Sequence, residues 1–162
     1  MIISQSLKDQ SKEVKHLISA FLVVLNIGYF TGITFVDDTT DQSPEGIEEN
    51  YLGNESDEAA MEMKFKKSKQ EILNIVHTHM LSISVIFFLT GILVSKTSVN
   101  SILRKILMIE PFLSILLTFG GIYLLWSGII WMKYVVMVSG IAMTFAFIGA
   151  LIVIFKSMYF SK

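Results

Sequence analysis

His77 and His79 stand two residues apart in "NIVHTHMLSISVIFFLTGILV", the stretch from Asn74 to Val94. Histidine is costly inside a bilayer and is a good ligand for haem or metal. Few other side chains could join them. His16 is the third histidine, Asn26 and Glu110 are polar groups in or beside apolar runs, and Met61, Met63, Met80, Met132 and Met137 carry thioethers. The chain has no cysteine, which excludes disulfides, thiolate metal sites and CxxCH haem attachment. What remains is a haem b with two axial side chains, or copper(I) held by imidazole and thioether.

The elements that must position these residues are apolar. The chain has 162 residues, 52% of them hydrophobic, and residues 37–71 hold 11 of its 14 acidic side chains. That is the distribution of a membrane protein with one water-exposed loop. A span needs about 20 mostly apolar residues. Four segments qualify: 14–36, 72–94, 106–126 and 134–155. The link Ser127–Lys133 is so short that the last two spans must be antiparallel neighbours, and Trp126, Trp131 and Tyr134 around it suit an interfacial belt. The first apolar run is too long for a signal-peptide core and is expected to stay as an anchor.

Lys8, Lys12, Lys15, Lys96, Arg104, Lys105, Lys156 and Lys162 fall on one side of the predicted topology, against Lys64, Lys66, Lys67, Lys69 and Lys133 on the other. The bias predicts both termini in the cytoplasm. The fold expected is an all-α, antiparallel four-helix bundle forming a single membrane domain over 1–162. Its packing surfaces are Gly28 and Gly32 in span one and Ala142, Ala146 and Ala150 in span four, with Gly120, Gly121, Ser84 and Gly91 in the other two.

Placed on these helices, the histidines separate. A haem in a bundle needs two ligands at one depth on facing helices. His79 lies 15 residues from the cytoplasmic end of its span, about 22 Å at ~1.5 Å per residue, so His16 sits across the bilayer from it. His77 and His79 point about 200° apart on a regular helix. Three routes to a site stay open. One histidine pairs with Met137, or with its counterpart in a second copy, or the helix starts near His79 and frees His77 to turn back. A copper site would use His77, His79 and Met80. The alternative is that both histidines are interfacial and anchor the loop.

Asn26 is expected to hydrogen-bond across helices. Glu110, just before Pro111, is either an interfacial acid at a helix N-terminus or a carboxylate that binds a proton or cation near His16.

The loop at 37–71 is too short and polar for a core of its own. Its order is expected from Ile47, Tyr51 and Leu52 docking on the bundle mouth. Residues 59–73 could extend span two as a helix, pairing Glu62 with Lys66. Asn54-Glu55-Ser56 matches a glycosylation tripeptide.

"GIEENYLGN", "KSKQEIL", "VHTHMLSISVIFFLTGIL", "LRKILMIEPF" and the later "GG" together resemble a group of small bacterial four-span inner-membrane proteins. Members have a Y-x-G-N-like loop, an H-x-H opening the second span and a P-F near the start of the third. The resemblance covers about residues 45–121 and marks Tyr51, Gly53, Asn54, His77, His79, Pro111 and Phe112. Some relatives carry CxxCH in the first outer loop; this chain lacks it. The resemblance implies a redox setting and a bacterial inner membrane.

No glycine-rich phosphate loop or nucleophile–base pair points to a hydrolase, transferase or nucleotide-binding enzyme, and no basic soluble face suggests nucleic acid. The expectation is a small multi-pass subunit of a membrane redox or metal-linked assembly, with a haem b or metal site at the outer leaflet. Its partners would be the lipid bilayer, other membrane or periplasmic subunits, or a second copy. The alternatives are a membrane scaffold that recruits a partner through its acidic loop, and a small transporter or channel using Glu110, Asn26 and His16.

Overall fold

A computed structural model of the chain describes residues 6–55, 60 and 62–160. After a short 3-10 turn at Leu7–Asp9 come five helices: α1 (Lys12–Thr40), α2 (Pro44–Leu52), α3 (Lys69–Ser95), α4 (Ser101–Trp126) and α5 (Met132–Tyr159). No strand occurs among the described residues. Four helices, all but α2, are long and apolar enough to cross a membrane.

Helix starts follow local chemistry. Ser11, Ser43 and Asn100 each accept a backbone N–H three residues on, and Pro44 occupies the first turn of α2. Ser68 and Glu71 form a reciprocal capping box at the head of α3. That box sets the start of α3 at Lys69, so the longer helix expected over 59–73 does not form. The described residues between 60 and 67 are non-helical, and the Glu62–Lys66 helical pair with them. Met61 lies outside the described residues.

α4 and α5 make the tightest pair. Gly128, at φ 105°, turns the chain between them. A β-carbon on Gly121 would come 2.9 Å from a Val136 methyl, and one on Gly149 would come 3.0 Å from Leu107. Ala146 and Ala150 are buried along the same helix and Ala142 is partly buried. α3 packs on α4 and reaches α5 through Phe87, whose ring meets Phe147 edge-on at 6.2 Å. Phe87, Ile115, Ile122 and Phe147 form the centre of the core.

The architecture is thus an all-helical membrane bundle, as expected, but α1 is peripheral. Only 6% of its most apolar window is buried, against 44% for α4. Tyr29 and Leu25 rest on the core and Leu22 is buried, while Gly28 and Gly32 face outward and a β-carbon on either would meet nothing within 4 Å. The expected close approach at this GxxxG pair is not made within the chain.

The first and last described residues lie toward one end of the bundle. Ser19 and Tyr159 share a hydrogen bond of 2.9 Å, and the Leu7 N–H donates to the Lys96 carbonyl. The opposite end is capped by α2. Ile47, Tyr51 and Leu52 lie on the core there, as the apolar spacing predicts. Lys133, at the head of α5, holds Glu48 at 2.7 Å and Glu45 at 3.4 Å.

Candidate functional site

α4 carries a line of polar side chains on its buried face. Glu110, Ser114 and Thr118 are four residues apart, so they stack along one side, each about 6 Å from the next at ~1.5 Å per residue. Ser114 donates its hydroxyl to Glu110 Oε1. Thr118 Oγ1 meets Ser139 Oγ of α5 at 2.7 Å, and that hydroxyl also reaches the Val135 carbonyl at 2.7 Å. Glu110 Oε2 is buried and has no hydrogen-bond partner among the described residues. A buried carboxyl oxygen without a partner is costly; Ser157 Oγ is the other buried side-chain oxygen without one among the described residues.

α4 begins at Ser101, so Glu110 lies more than two turns inside the helix and not at its N-terminus. The helix-start position expected from Pro111 fails for this reason: the helix runs on through a buried Pro111. Nor is His16 its neighbour. His16 is exposed near the start of α1, within electrostatic reach of Glu13. The titratable group near Glu110 is instead Tyr29, which stands within electrostatic reach. Tyr29 stacks on Phe147 with ring centres 4.0 Å apart, and its hydroxyl bonds Thr144 Oγ1 at 3.2 Å. Apolar packing closes the line on both sides. Phe119, Ile122 and Leu125 lie beyond Thr118, and Leu107, Ala150 and Ile154 lie on the other side.

Tyr29, Ser114, Thr118, Ser139 and Thr144 were not singled out from sequence. The spacing of Glu110, Ser114 and Thr118 was the available signal. Tyr29 and Thr144 become neighbours only through the packing of α1 on α5. Asn26 does not cross-link helices among the described residues: it is half-buried in a cleft between α1 and α5, with no side-chain hydrogen bond to any of them.

Both histidines lie within α3, so the helix does not begin at His79, and both are exposed. His79 folds back along α3, its Nδ1 2.8 Å from the Ile75 carbonyl, and stacks on Phe119 of α4 at 5.2 Å. His77 faces away from the bundle beside Asn74 and Gln70. Met137 sits on the α5 face that also carries Lys133 and Thr144, the face turned to α2 and α1. Met80 and Met132 pack against the core, while Met63 is exposed. Among the described residues no three His, Cys, Asp or Glu side chains converge as a metal site.

The loop residues of the Y-x-G-N stretch are structural. Asn54 Oδ1 accepts the Lys64 N–H at 2.7 Å, and its Nδ2 donates to the Glu62 carbonyl at 3.0 Å. Gly53 has φ 80°, and a β-carbon there would strike Lys66 N at 2.6 Å. The Tyr51 carbonyl accepts the Lys67 N–H, and the Lys67 carbonyl accepts the Trp126 indole N–H at 2.8 Å. Burial pushes the Tyr51 hydroxyl up to about 12. Asn54 is thus engaged within the loop, and Ser56 of its glycosylation tripeptide lies outside the described residues.

Four apolar helices and this packing define a small multi-pass integral membrane protein. Residues 41–162 match a family described as a transmembrane helical domain, Aq_1264_TM, and the chain belongs to it. The match takes in α2 to α5 and leaves out α1. No curated protein and no solved structure matches the chain.

Proposed function

We propose that the protein binds a proton within the membrane at Glu110, and that α1 is the element whose movement exposes or closes that carboxyl. The observation that carries this reading is the buried, unpartnered Glu110 Oε2, with Tyr29 of the loosely packed α1 within electrostatic reach. An ionisable side chain inside a span marks a site, because its cost is retained only for use. The apolar packing on both sides argues for a proton-coupled or proton-responsive protein and against an open channel. Carbodiimide, which attacks protonated carboxyls in apolar surroundings, tests it. Glu110 should carry the adduct, and Glu110→Gln should abolish it. Labelling confined to the loop carboxylates would overturn the reading.

A second reading places the protein in a membrane redox or metal-linked assembly, with His77 or His79 as one ligand and another chain supplying the rest. It is supported by two imidazoles exposed on the same few turns of α3. The protein would then also act as a partner-binding subunit. Absorption spectra and metal analysis of the detergent-purified protein test it; no Soret band and no bound metal would sink it.

A further inference from the structure

We infer that the cleft between α1 and α5 is a binding site for one anionic glycerophospholipid. The cleft opens sideways between the helices near the end that carries the first and last described residues. Its walls are apolar, from Ile27 of α1 to Leu151 and Phe155 of α5, and its polar lining residues are Asn26 and Lys156. No carboxylate lines it. Lys156 makes no ion pair and Asn26 no side-chain hydrogen bond among the described residues.

These two groups are spaced for a lipid. Ser19 bonds Tyr159, so the antiparallel register puts Asn26 opposite Ile152, four residues from Lys156. That places the Asn26 backbone about 6 Å further from that end of the bundle than the Lys156 backbone, at ~1.5 Å per residue. In a glycerophospholipid the ester carbonyls lie a few ångströms below the phosphate. The Lys156 ammonium takes the phosphate, Asn26 Nδ2 donates to an ester carbonyl, and an acyl chain runs along Ile27 and Leu151. A lysine stem along apolar wall with its charge at the headgroup level is the ordinary way such side chains sit. Cationic pockets between spans that hold anionic headgroups follow the same electrostatics. The occupant also gives Asn26 the partner its own chain withholds.

The full chain, purified in detergent, is to be titrated with phosphatidylglycerol or phosphatidylcholine and retained lipid counted by native mass spectrometry. Phosphatidylglycerol should be retained preferentially. Lys156→Gln should weaken that retention about fivefold, the worth of one lysine near the headgroups. Asn26→Leu should weaken retention of both lipids, since both carry the esters. Lys12→Gln, on the same end but outside the cleft, should change nothing. Equal retention of the two lipids by the wild type would overturn the site. So would a loss in Lys12→Gln matching that in Lys156→Gln, since diffuse charge would then explain binding. A lipid-free dimer blocked by Asn26→Leu would give the cleft to a second copy instead.

Discussion

Gly46 lies against the end of α1: a β-carbon there would fall 2.0 Å from the Thr40 carbonyl oxygen. Ser43 ties the same corner, accepting the Gly46 N–H at 2.9 Å while its hydroxyl reaches the Thr40 carbonyl at 3.2 Å. α1 therefore hands directly onto α2 with no room for a side chain. Because the clash is with backbone, no rotamer change relieves it. Gly46→Ala should destabilise by about 1–3 kcal/mol, the range for forced overpacking. Thermal unfolding in detergent, with protease cleavage between α1 and α2 as a local readout, checks this. An unchanged melting point and cleavage pattern would mean that α2 docks some other way.

Asn54 is the corresponding clamp on the far side of α2. Asn54→Ala removes the acceptor for the Lys64 N–H and the donors to Glu62 and Glu49. Asn54→Asp keeps the acceptor alone. Each lost hydrogen bond is worth about 1 kcal/mol. Alanine should therefore expose the stretch leading into α3 to protease more than aspartate does. Equal cleavage in both variants would show that the acceptor is idle.

Tyr51 links the same cap to pH. Its hydroxyl titrates at about 12 in the folded chain, against about 10 for an exposed tyrosine. Between those values the unfolded chain has lost the proton and the folded chain has kept it. The folded state thus binds more protons, and stability falls as pH rises through that window. The contribution is fully present below about 10. Tyr51→Phe should remove this alkaline loss and the last step in the tyrosinate absorbance titration. A titration unchanged by the substitution would place Tyr51 in water.

The membrane class, the four helices and the docking of Ile47, Tyr51 and Leu52 were legible in the sequence because each follows from apolar length and spacing. The opposed directions of His77 and His79 were legible for the same reason, being fixed by helical geometry alone. The depth of Glu110 was not. Proline next to it suggested a helix start, but Asn100 caps the helix ten residues earlier. The start of α3 was missed because the Ser68–Glu71 capping box outweighed the charge pairing of Glu62 with Lys66. Pairings such as Tyr29 with Thr144 depend on how α1 lies on α5, which no local pattern encodes.

The buried hydroxyl pair Thr118 and Ser139 tests what a polar link is worth between these spans. Ser139 also bonds its own Val135 carbonyl, so Thr118→Val leaves it satisfied, whereas Ser139→Ala strands the Thr118 hydroxyl unless it turns to its own helix. The coupling energy in a double-mutant cycle should be about 0.6 kcal/mol, as for other interhelical hydrogen bonds in bilayers. A coupling near zero would show that each hydroxyl is satisfied by its own helix.

Small residues divide the bundle into packed and unpacked faces, and substitutions should follow that division. At Gly121 an added methyl meets Val136 at 2.9 Å, so Gly121→Leu should part α4 from α5 and lower the melting point sharply. At Gly28 and Gly32 an added side chain meets nothing within 4 Å. Gly28→Leu and Gly32→Leu should leave the fold of the single chain intact, and replacing glycine inside a helix favours the helix by about 0.8–1 kcal/mol. Circular dichroism melts of the three variants in detergent separate the cases. Unfolding in Gly28→Leu or Gly32→Leu comparable to that in Gly121→Leu would show that α1 presents its glycines to the bundle after all.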